Sequence, residues 1–305
     1  MGSILHRLAS GPISWGVCEV PGWGAELPPD RVLAEMASLG LGATEAGPDG
    51  YLGADPAEVA DLLARHGLRL VGGFLPVVLH DPPGHAASVA AARRGGGLLA
   101  EAGGTFLVSA IVTDLQWSAR ITLSDAQWRS VFDGLARLDE VAADYGLTHV
   151  SHPHWGTLVE RRDDVSRLLE GCDTLLCLDT GHLTLGGTDP VWLAGEGGDR
   201  IAHVHLKDVD ETVADRLRSG ELALVAAVQQ ALFRPLGEGD APIADTVRAL
   251  ESGGYQGWYV LEQDLALTSA DVPPGQGPIQ EVRRSIEFLR ALAGDAQLAA
   301  APGRR

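Results

Sequence analysis

The segment Arg200-Ile201-Ala202-His203-Val204-His205-Leu206-Lys207-Asp208 combines a short apolar strand pattern with a polar end. His203 and His205 are two residues apart, so on a strand both side chains face the same side. Lys207 is the single lysine of the 305-residue chain, because 23 − 1 = 22 of the basic residues are arginine. An ammonium can lose its proton when buried, whereas a guanidinium in practice cannot. The segment therefore predicts a strand that delivers an acid–base or close-contact lysine to a site.

The same alternation of elements extends over most of the chain. From residue 10 onward, short apolar runs alternate with longer segments of helical period, which is typical of βα units. Eight such units predict a single (β/α)8 TIM barrel over residues 1–305, with 1–9 and 296–305 as tails. A doubly wound sheet is disfavoured because no G-x-G-x-x-G follows the first strand. Strands are predicted near 11–17, 42–46, 68–75, 104–111, 147–153, 174–180, 200–206 and 257–262. Helices are predicted near 29–40, 56–66, 84–102, 124–145, 158–170, 188–196, 214–231, 241–252 and 277–293.

Composition limits the classes of partner. A net charge of −18 opposes binding to nucleic acid or to an anionic membrane. No apolar run reaches the roughly 18 residues that a membrane span needs, and the start lacks the apolar core of a signal peptide. We therefore expect a cytoplasmic protein that acts on a small neutral or cation-assisted substrate. Homo-oligomerisation is left open.

Polar residues end four successive predicted strands. They are His152, Asp179, His205 and Glu262. In a TIM barrel the carboxyl ends of the strands meet at one face, where the chemistry collects. Imidazole and carboxylate groups suit a divalent ion such as Mn²⁺, Co²⁺, Zn²⁺ or Fe²⁺. Of the two histidines on the seventh strand, His205 is nearer the rim than His203, so we choose it as the ligand.

These residues also carry a resemblance. The set Asp179-x-x-His182, His203-x-His205 and Glu262 resembles the metal site of the xylose-isomerase-like TIM-barrel superfamily of sugar isomerases and epimerases. Four further segments are similar to the inosose (2-keto-myo-inositol) dehydratases: Pro12-Ile13-Ser14-Trp15-Gly16, Glu45-Ala46-Gly47-Pro48-Asp49-Gly50-Tyr51-Leu52, His152-Pro153-His154-Trp155-Gly156-Thr157 and His205-Leu206-Lys207-Asp208. The resemblance implies that Asp179, His205 and Glu262 are metal ligands and that His182 and Lys207 lie near the substrate.

One position departs from the superfamily pattern. Epimerases of the superfamily usually end strand five in glutamate, where this chain has His152. With two carboxylate ligands in place of three, the site and its divalent ion have a formal charge of 2 − 2 = 0. The ion would then be a stronger Lewis acid than one held by three carboxylates. The absent glutamate is also one of the two carboxylates that shuttle protons in epimerases, so epimerisation is disfavoured. We take His152 as the fourth ligand, although a role as a base stays open.

The implied reaction is the dehydration of a cyclic polyol ketone, as in inositol catabolism. Loss of the α-proton would give a metal-stabilised enediolate, and the β-hydroxyl would then leave. We expect Mn²⁺ or Co²⁺ as the cofactor, with Zn²⁺, Fe²⁺ and Mg²⁺ as alternatives. Glu45 or His182 would transfer protons, and Lys207 would bind or protonate a substrate oxygen.

Four further residues are predicted to contact the substrate. Trp15 and Trp155 could stack on the apolar face of a sugar ring, His154 could contact the substrate, and Asp208 could orient Lys207 or an imidazole. The main alternative is a metal-dependent isomerase or epimerase of a free ketose. A non-catalytic sugar-binding barrel is a weaker alternative, because it predicts gaps among the polar strand ends and none is seen.

Overall fold

A computed structural model of the chain describes residues 4–20 and 22–300. The strands are β1 (Leu8–Ser10), β2 (Ala43–Thr44), β3 (Arg69–Leu70), β4 (Gly72–Val77), β5 (Phe106–Ile111), β6 (Thr148–Ser151), β7 (Leu175–Asp179), β8 (Ile201–Leu206), β9 (Asp208–Val209), β10 (Phe233–Arg234) and β11 (Tyr259–Leu261). The helices are α1 (Pro29–Ser38), α2 (Pro56–His66), α3 (Pro82–Glu101), α4 (Asp125–Asp144), α5 (Arg162–Gly171), α6 (Thr180–Leu185), α7 (Pro190–Gly197), α8 (Glu211–Arg218), α9 (Leu224–Gln229), α10 (Ile243–Ser252) and α11 (Pro278–Ala300). None of the described helices has the length and hydropathy required to cross a membrane.

The main sheet is parallel and closes into a barrel. Its strand order is β3-β2-β1-β11-β8-β7-β6-β5-β4. Only Val71 separates β3 from β4; its N–H donates to the Thr44 carbonyl (2.8 Å), and its own carbonyl accepts from the Phe106 N–H (2.9 Å). The two segments therefore occupy one strand position that pairs with β2 on one side and β5 on the other. Eight strand positions result, which confirms the predicted (β/α)8 barrel.

The first strand lies earlier than predicted. Pro12–Trp15 is a 3₁₀ helix, and the strand is Leu8–Ser10, paired with β2 and β11. The prediction of a tail over residues 1–9 is therefore wrong from residue 4 onward, because Ile4 and Leu8 are buried in the core. A strand of three residues is too short to show a period, and the apolar residues after it gave the misleading pattern.

The predicted tail at the other end is also shortened. Helix α11 extends to Ala300, so residues 296–300 continue a helix. Residues 1–3 and 301–305 lie outside the described part of the chain.

The inside of the barrel changes from apolar to polar along its axis. Small apolar side chains, among them Ala9, Ala43 and Val260, pack together from neighbouring strands. Two residues beyond Ala43, Glu45 contacts His203 and His205 of β8. Because β1 and β11 lie between β2 and β8 in the sheet, this contact crosses the interior. The buried polar groups therefore form a layer above the apolar one, toward the carboxyl ends of the strands.

The long segment after β8 adds structure at this end of the barrel. It contains the antiparallel pair β9 and β10 and the helices α8, α9 and α10, so the predicted extra helix near 241–252 is confirmed as α10. A second apolar cluster includes Trp23, Leu185, Val209 and Phe233. The Phe233 ring lies 5.2 Å from Lys207 Nζ, so this cluster covers the lysine.

The corrected N-terminal boundary predicts that Arg7 stabilises the fold. Its guanidinium donates to the carbonyls of Tyr255 (3.0 Å) and Gly257 (3.1 Å), and it pairs with Glu251. We expect Arg7→Ala to lower the free energy of unfolding by about 1–3 kcal/mol, because it leaves partly buried acceptors unpaired. Arg93→Ala, which removes an exposed ion pair with Asp144, should cost at most about 1 kcal/mol. Urea denaturation measures both, and equal effects would contradict the expectation.

A candidate metal and acid–base site

Asp179 supplies one fixed and one free carboxylate oxygen. It ends β7 and caps α6, and its Oδ1 accepts the N–H groups of Gly181 (2.8 Å) and His182 (2.9 Å). Its Oδ2 is buried and has no hydrogen-bond partner among the described residues. The helix cap therefore orients the carboxylate so that an unpaired oxygen faces the neighbouring histidines.

His152 presents a nitrogen without a proton to the same place. Its Nδ1–H donates to the Pro153 carbonyl at 2.9 Å, so a neutral ring has its lone pair on Nε2. Nε2 lies 3.7 Å from Asp179 Oδ2. Burial, followed by the charge on His205, lowers the pKa of His152 to about 4. The ring is therefore neutral near pH 7, as a metal ligand must be.

His205 and Glu262 complete the group. His205 Nδ1 lies 3.2 Å from Glu262 Oε2 and 3.7 Å from Asp179 Oδ2, and it has no hydrogen-bond partner among the described residues. Glu262 follows β11, and its position depends on Gly11, where a Cβ would lie 3.2 Å from Glu262 Oε1. Asp179, His205 and Glu262 each place a ligand atom within 4.8 Å of the others.

This donor set fits a divalent cation. Buried lone pairs that face one another without an intervening proton or cation repel each other, which is costly in a low dielectric. Although burial alone would lower the pKa of His205, nearby negative groups raise it well above its ordinary value. Burial alone would raise the pKa of Glu262, but His205 and Lys207 lower it to about 2. Both shifts indicate that positive charge is favoured here. Two imidazoles and two carboxylates are suitable ligands for that charge.

Lys207 lies beside this group in a buried ion-pair network. Its Nζ is 2.8 Å from Asp264 Oδ1, 3.2 Å from Glu262 Oε2 and 3.6 Å from Asp179 Oδ2. Burial by itself would lower the pKa of Lys207, but the carboxylates, Asp179 and Asp264 foremost, raise it well above its ordinary value. The lysine is therefore an ammonium ion that can donate hydrogen bonds or a proton.

His182 is the neutral partner of this ammonium. Lys207 Nζ lies 3.0 Å from His182 Nε2, so the ammonium donates to the imidazole. Burial, followed by the charges of His154 and Lys207, holds the pKa of His182 well below its ordinary value. The His182 and His154 rings lie 3.6 Å apart, and burial lowers the pKa of His154 to about 3. A charged donor and a neutral acceptor are thus in contact.

An aromatic wall continues from these imidazoles toward solvent. Phe74 and Trp117 stack with ring centroids 6.3 Å apart, and Trp117 lies 5.7 Å from the His154 ring. Both aromatic side chains are partly exposed, as are His154 and Trp155. Trp117 has a φ of +57°, a strained conformation for a bulky residue. Such strain is often found at functional sites.

The structure unites most of the predicted site residues. His152, Asp179, His182, His205, Lys207 and Glu262 contact one another, and His154 and Trp155 adjoin them. Sequence reasoning missed Asp264, Phe74 and Trp117. Asp264 had a usable signal, since it lies two residues after Glu262 at the same strand end, whereas Phe74 and Trp117 stand in no motif.

Two predicted substrate contacts are structural instead. Trp15 is fully buried in the main core, and its indole N–H donates to Glu35 at 2.8 Å. Asp208 is also buried, and both its oxygens accept backbone N–H groups, including those of Gly237 (2.7 Å) and Ala241 (3.0 Å). Asp208 therefore anchors the loop over residues 236–241. Neither side chain is placed to contact a substrate.

The environment of Glu45 does not suit a proton-transfer role, because the side chain is buried inside the barrel. Its Oε1 contacts His203 Nε2 at 2.7 Å and His205 Nε2 at 3.1 Å. That oxygen is therefore already used by two imidazoles inside the barrel. The prediction that Glu45 exchanges protons with a substrate does not fit this environment.

The fold and this cluster define a TIM-barrel enzyme whose polar groups collect at the carboxyl ends of the strands. Residues 33–292 match the family described as Xylose isomerase-like TIM barrel, and the chain belongs to that family. The chain is 32% identical over 270 residues to an inosose dehydratase of Geobacillus kaustophilus, covering 85% of this chain and 87% of the relative. This relative confirms the prediction of an enzyme similar to the inosose dehydratases.

Solved structures show the same fold at lower identity. An L-ribulose 3-epimerase superposes with a TM-score of 0.71 at 17% identity, covering 98% of this chain and 99% of that one. The IolI protein, solved with a binding zinc atom, superposes with a TM-score of 0.69 at 14% identity, covering 95% of this chain and 98% of that one. At such identities the likeness is one of fold.

The close approach of α6 to Lys207 gives a second prediction. A Cβ at Gly181 would lie 2.5 Å from Lys207 Cγ. We expect Gly181→Ala to lower the free energy of unfolding by about 1–3 kcal/mol, because the added methyl overpacks a buried site. Gly195→Ala is the matched control, since an exposed position in α7 with no atom near the added Cβ should gain about 0.5–1 kcal/mol. Urea denaturation compares them, and a stabilised Gly181→Ala protein would refute the predicted clash.

Proposed function

We propose that the protein is a metal-dependent dehydratase of a cyclic polyol ketone of the inosose type. The observation that carries this proposal is the convergence of Asp179 Oδ2, His205 Nδ1 and Glu262 Oε2 beside a charged lysine, with His152 Nε2 3.7 Å from Asp179 Oδ2. The similarity to inosose dehydratases supports the substrate class.

These four side chains would hold the ion. Mn²⁺ or Co²⁺ is the cofactor we expect, with Zn²⁺, Fe²⁺ and Mg²⁺ as alternatives. When bound, the ion supplies a Lewis acid that lowers the cost of negative charge on a ketone oxygen. The IolI protein, which has the same fold, was solved with a binding zinc atom, and this supports a metal-binding role for the cluster.

The protein groups beside the ligands would move the protons. A C–H bond α to the ketone breaks and its proton passes to a base, a role we assign to His182, whose lowered pKa leaves its ring unprotonated. The C–O bond of the β-hydroxyl breaks next, and the oxygen leaves as water after Lys207 donates a proton. The resulting enol tautomerises to a second ketone, so the products are a dione and one water. Lys207 and His182, 3.0 Å apart, can then exchange the proton that restores the starting state.

The aromatic wall would bind the substrate ring. The C–H face of a polyol ring is apolar, so it can pack on Phe74 and Trp117. Trp155, partly exposed beside His182, would also stack on the apolar face of the ring, and His154 would contact the substrate. Cytoplasmic location stays a prediction, and homo-oligomerisation stays open.

A metal-dependent isomerase or epimerase of a free ketose is the second candidate. The shared fold of the L-ribulose 3-epimerase favours it. Against it stands His152, whose neutral imidazole occupies the position of a carboxylate and lies beside Asp179. One of the two carboxylates of a two-base epimerisation is therefore replaced.

Metal removal tests the proposed function. We expect the chelator-stripped protein to leave 2-keto-myo-inositol intact and the protein reloaded with Mn²⁺ or Co²⁺ to form the dione. Absorbance and product analysis by mass spectrometry follow the loss of one water. An equilibrated pair of ketoses in place of a dione would support the second candidate, and intact substrate from metal-loaded protein would reject the proposed substrate.

Lys207→Arg tests the role of the single lysine. A guanidinium is planar, is longer than an ammonium and does not release its proton, so we expect turnover to fall by about 10²–10⁴-fold with the metal content unchanged. Arg93→Lys, the opposite exchange at an exposed position, should leave turnover unaltered. Steady-state kinetics with metal analysis compare the two variants, and near-full activity in Lys207→Arg would reject both proton donation and close contact.

A further inference from the structure

Glu45 contacts two histidines across the barrel interior with one oxygen. Its Oε1 lies 2.7 Å from His203 Nε2 and 3.1 Å from His205 Nε2. The three side chains are buried, and the Glu45 N–H donates to the Ser10 carbonyl at 3.1 Å, which fixes the residue at the end of β2. We propose that Glu45 is a positioning residue that sets the tautomer of His205, so that the Nδ1 lone pair faces the ion. This inference rests on the metal site proposed above.

The hydrogen-bonding capacity of the carboxylate determines the tautomer. An ionised carboxylate only accepts, so His205 Nε2 must carry a proton in order to bond with it. A neutral imidazole has a single N–H, and metal ligation requires the neutral ring. Nδ1 is then left with its lone pair, 3.2 Å from Glu262 Oε2 and 3.7 Å from Asp179 Oδ2. Glu45 therefore selects the ring nitrogen that points at the other ligands.

The opposite tautomer would disable the site. With the proton on Nδ1, His205 would donate to Glu262 Oε2 at 3.2 Å and would have no lone pair for a cation. A carboxylate that holds the far nitrogen of a ligating histidine also makes that histidine a stronger base. Glu45 thus acts on the ion through His205 and does not touch it.

His203 holds the carboxylate in place. Its Nε2 makes the shorter of the two contacts, and its ring packs 4.8 Å from the Phe106 ring. His203 Nδ1 has no hydrogen-bond partner among the described residues, so a neutral ring again places its proton on Nε2. Two N–H donors therefore converge on one oxygen and restrict its rotation. This role accounts for His203, which is not one of the four proposed metal ligands.

The test measures the ion and the ring and does not depend on turnover. Glu45→Gln keeps the shape but removes the charge, and its amide N–H₂ can face His205 Nε2 and favour the wrong tautomer. We expect the Co²⁺ dissociation constant, from competition with a chelator, to rise about 10–100-fold. Glu35→Gln is the matched control, because Glu35 is a buried carboxylate bonded to Trp15 in the core, and its Co²⁺ affinity should equal that of the unaltered protein.

A spectroscopic readout separates positioning from general damage. In Zn²⁺-loaded protein labelled with ¹⁵N-histidine, and assigned with Glu45→Gln and His205→Asn, we expect His205 to carry its proton on Nε2 and the metal on Nδ1. Zinc on Nε2, or an unchanged Co²⁺ affinity in Glu45→Gln, would overturn the inference. The ring measurement is made on the unaltered chain, and His205→Asn alone is enough to assign the His205 signals, so the measurement stands even if Glu45→Gln fails to fold. If the unaltered, metal-loaded protein had no dehydratase activity but gave these binding and ring results, the proposed substrate would be wrong and the positioning role of Glu45 would stand.

Discussion

Uncompensated buried negative charge is the constraint on which this site depends. Three carboxylates that are buried or nearly so, Asp179, Glu262 and Asp264, face the single ammonium of Lys207, and a fourth, Glu45, is buried against two histidines. The four carboxylates and the ammonium have a formal sum of 1 − 4 = −3, and, against the effect of burial, this negative charge raises the pKa of His205 well above its ordinary value. Each buried ion costs several kcal/mol unless it is paired. Helix α6 offsets part of this cost by bonding Asp179 Oδ1, and two imidazoles bond Glu45. The remaining lone pairs converge where a cation would be stabilised.

The barrel satisfies this constraint because its strands end at one face. Residues that are distant in sequence therefore meet there, and they come from the ends of β2, β7, β8 and β11. Glycine provides the space that the larger side chains need: a Cβ at Gly11 would crowd Glu262, and one at Gly181 would strike Lys207. The apolar cluster around Phe233 then excludes water from the ammonium, which strengthens every charge interaction below it.

The sequence predicts the barrel well because hydrophobic period is a local property. It fails for β1, whose three residues are too few to show a period, and for the tail assigned to residues 4–9. The polar strand ends predicted the cluster of imidazoles and carboxylates at one end of the barrel. Trp15 and Asp208 were misassigned because their partners, Glu35 and the backbone of 237–241, are not marked in the sequence. The contact of Glu45 with His205 crosses the barrel between strands that are not neighbours, so spacing along the chain could not predict it.

The central claim is that four lone pairs converge on one divalent ion, and anomalous diffraction from crystals of the Co²⁺-loaded protein tests it most directly. The account predicts one anomalous peak within bonding distance, about 2.0–2.2 Å, of His152 Nε2, Asp179 Oδ2, His205 Nδ1 and Glu262 Oε2. Lys207 Nζ should remain beside the peak without ligating it. A cobalt ion bound elsewhere would contradict the account. So would the absence of any anomalous peak at saturating Co²⁺, with the carboxylates still paired with Lys207.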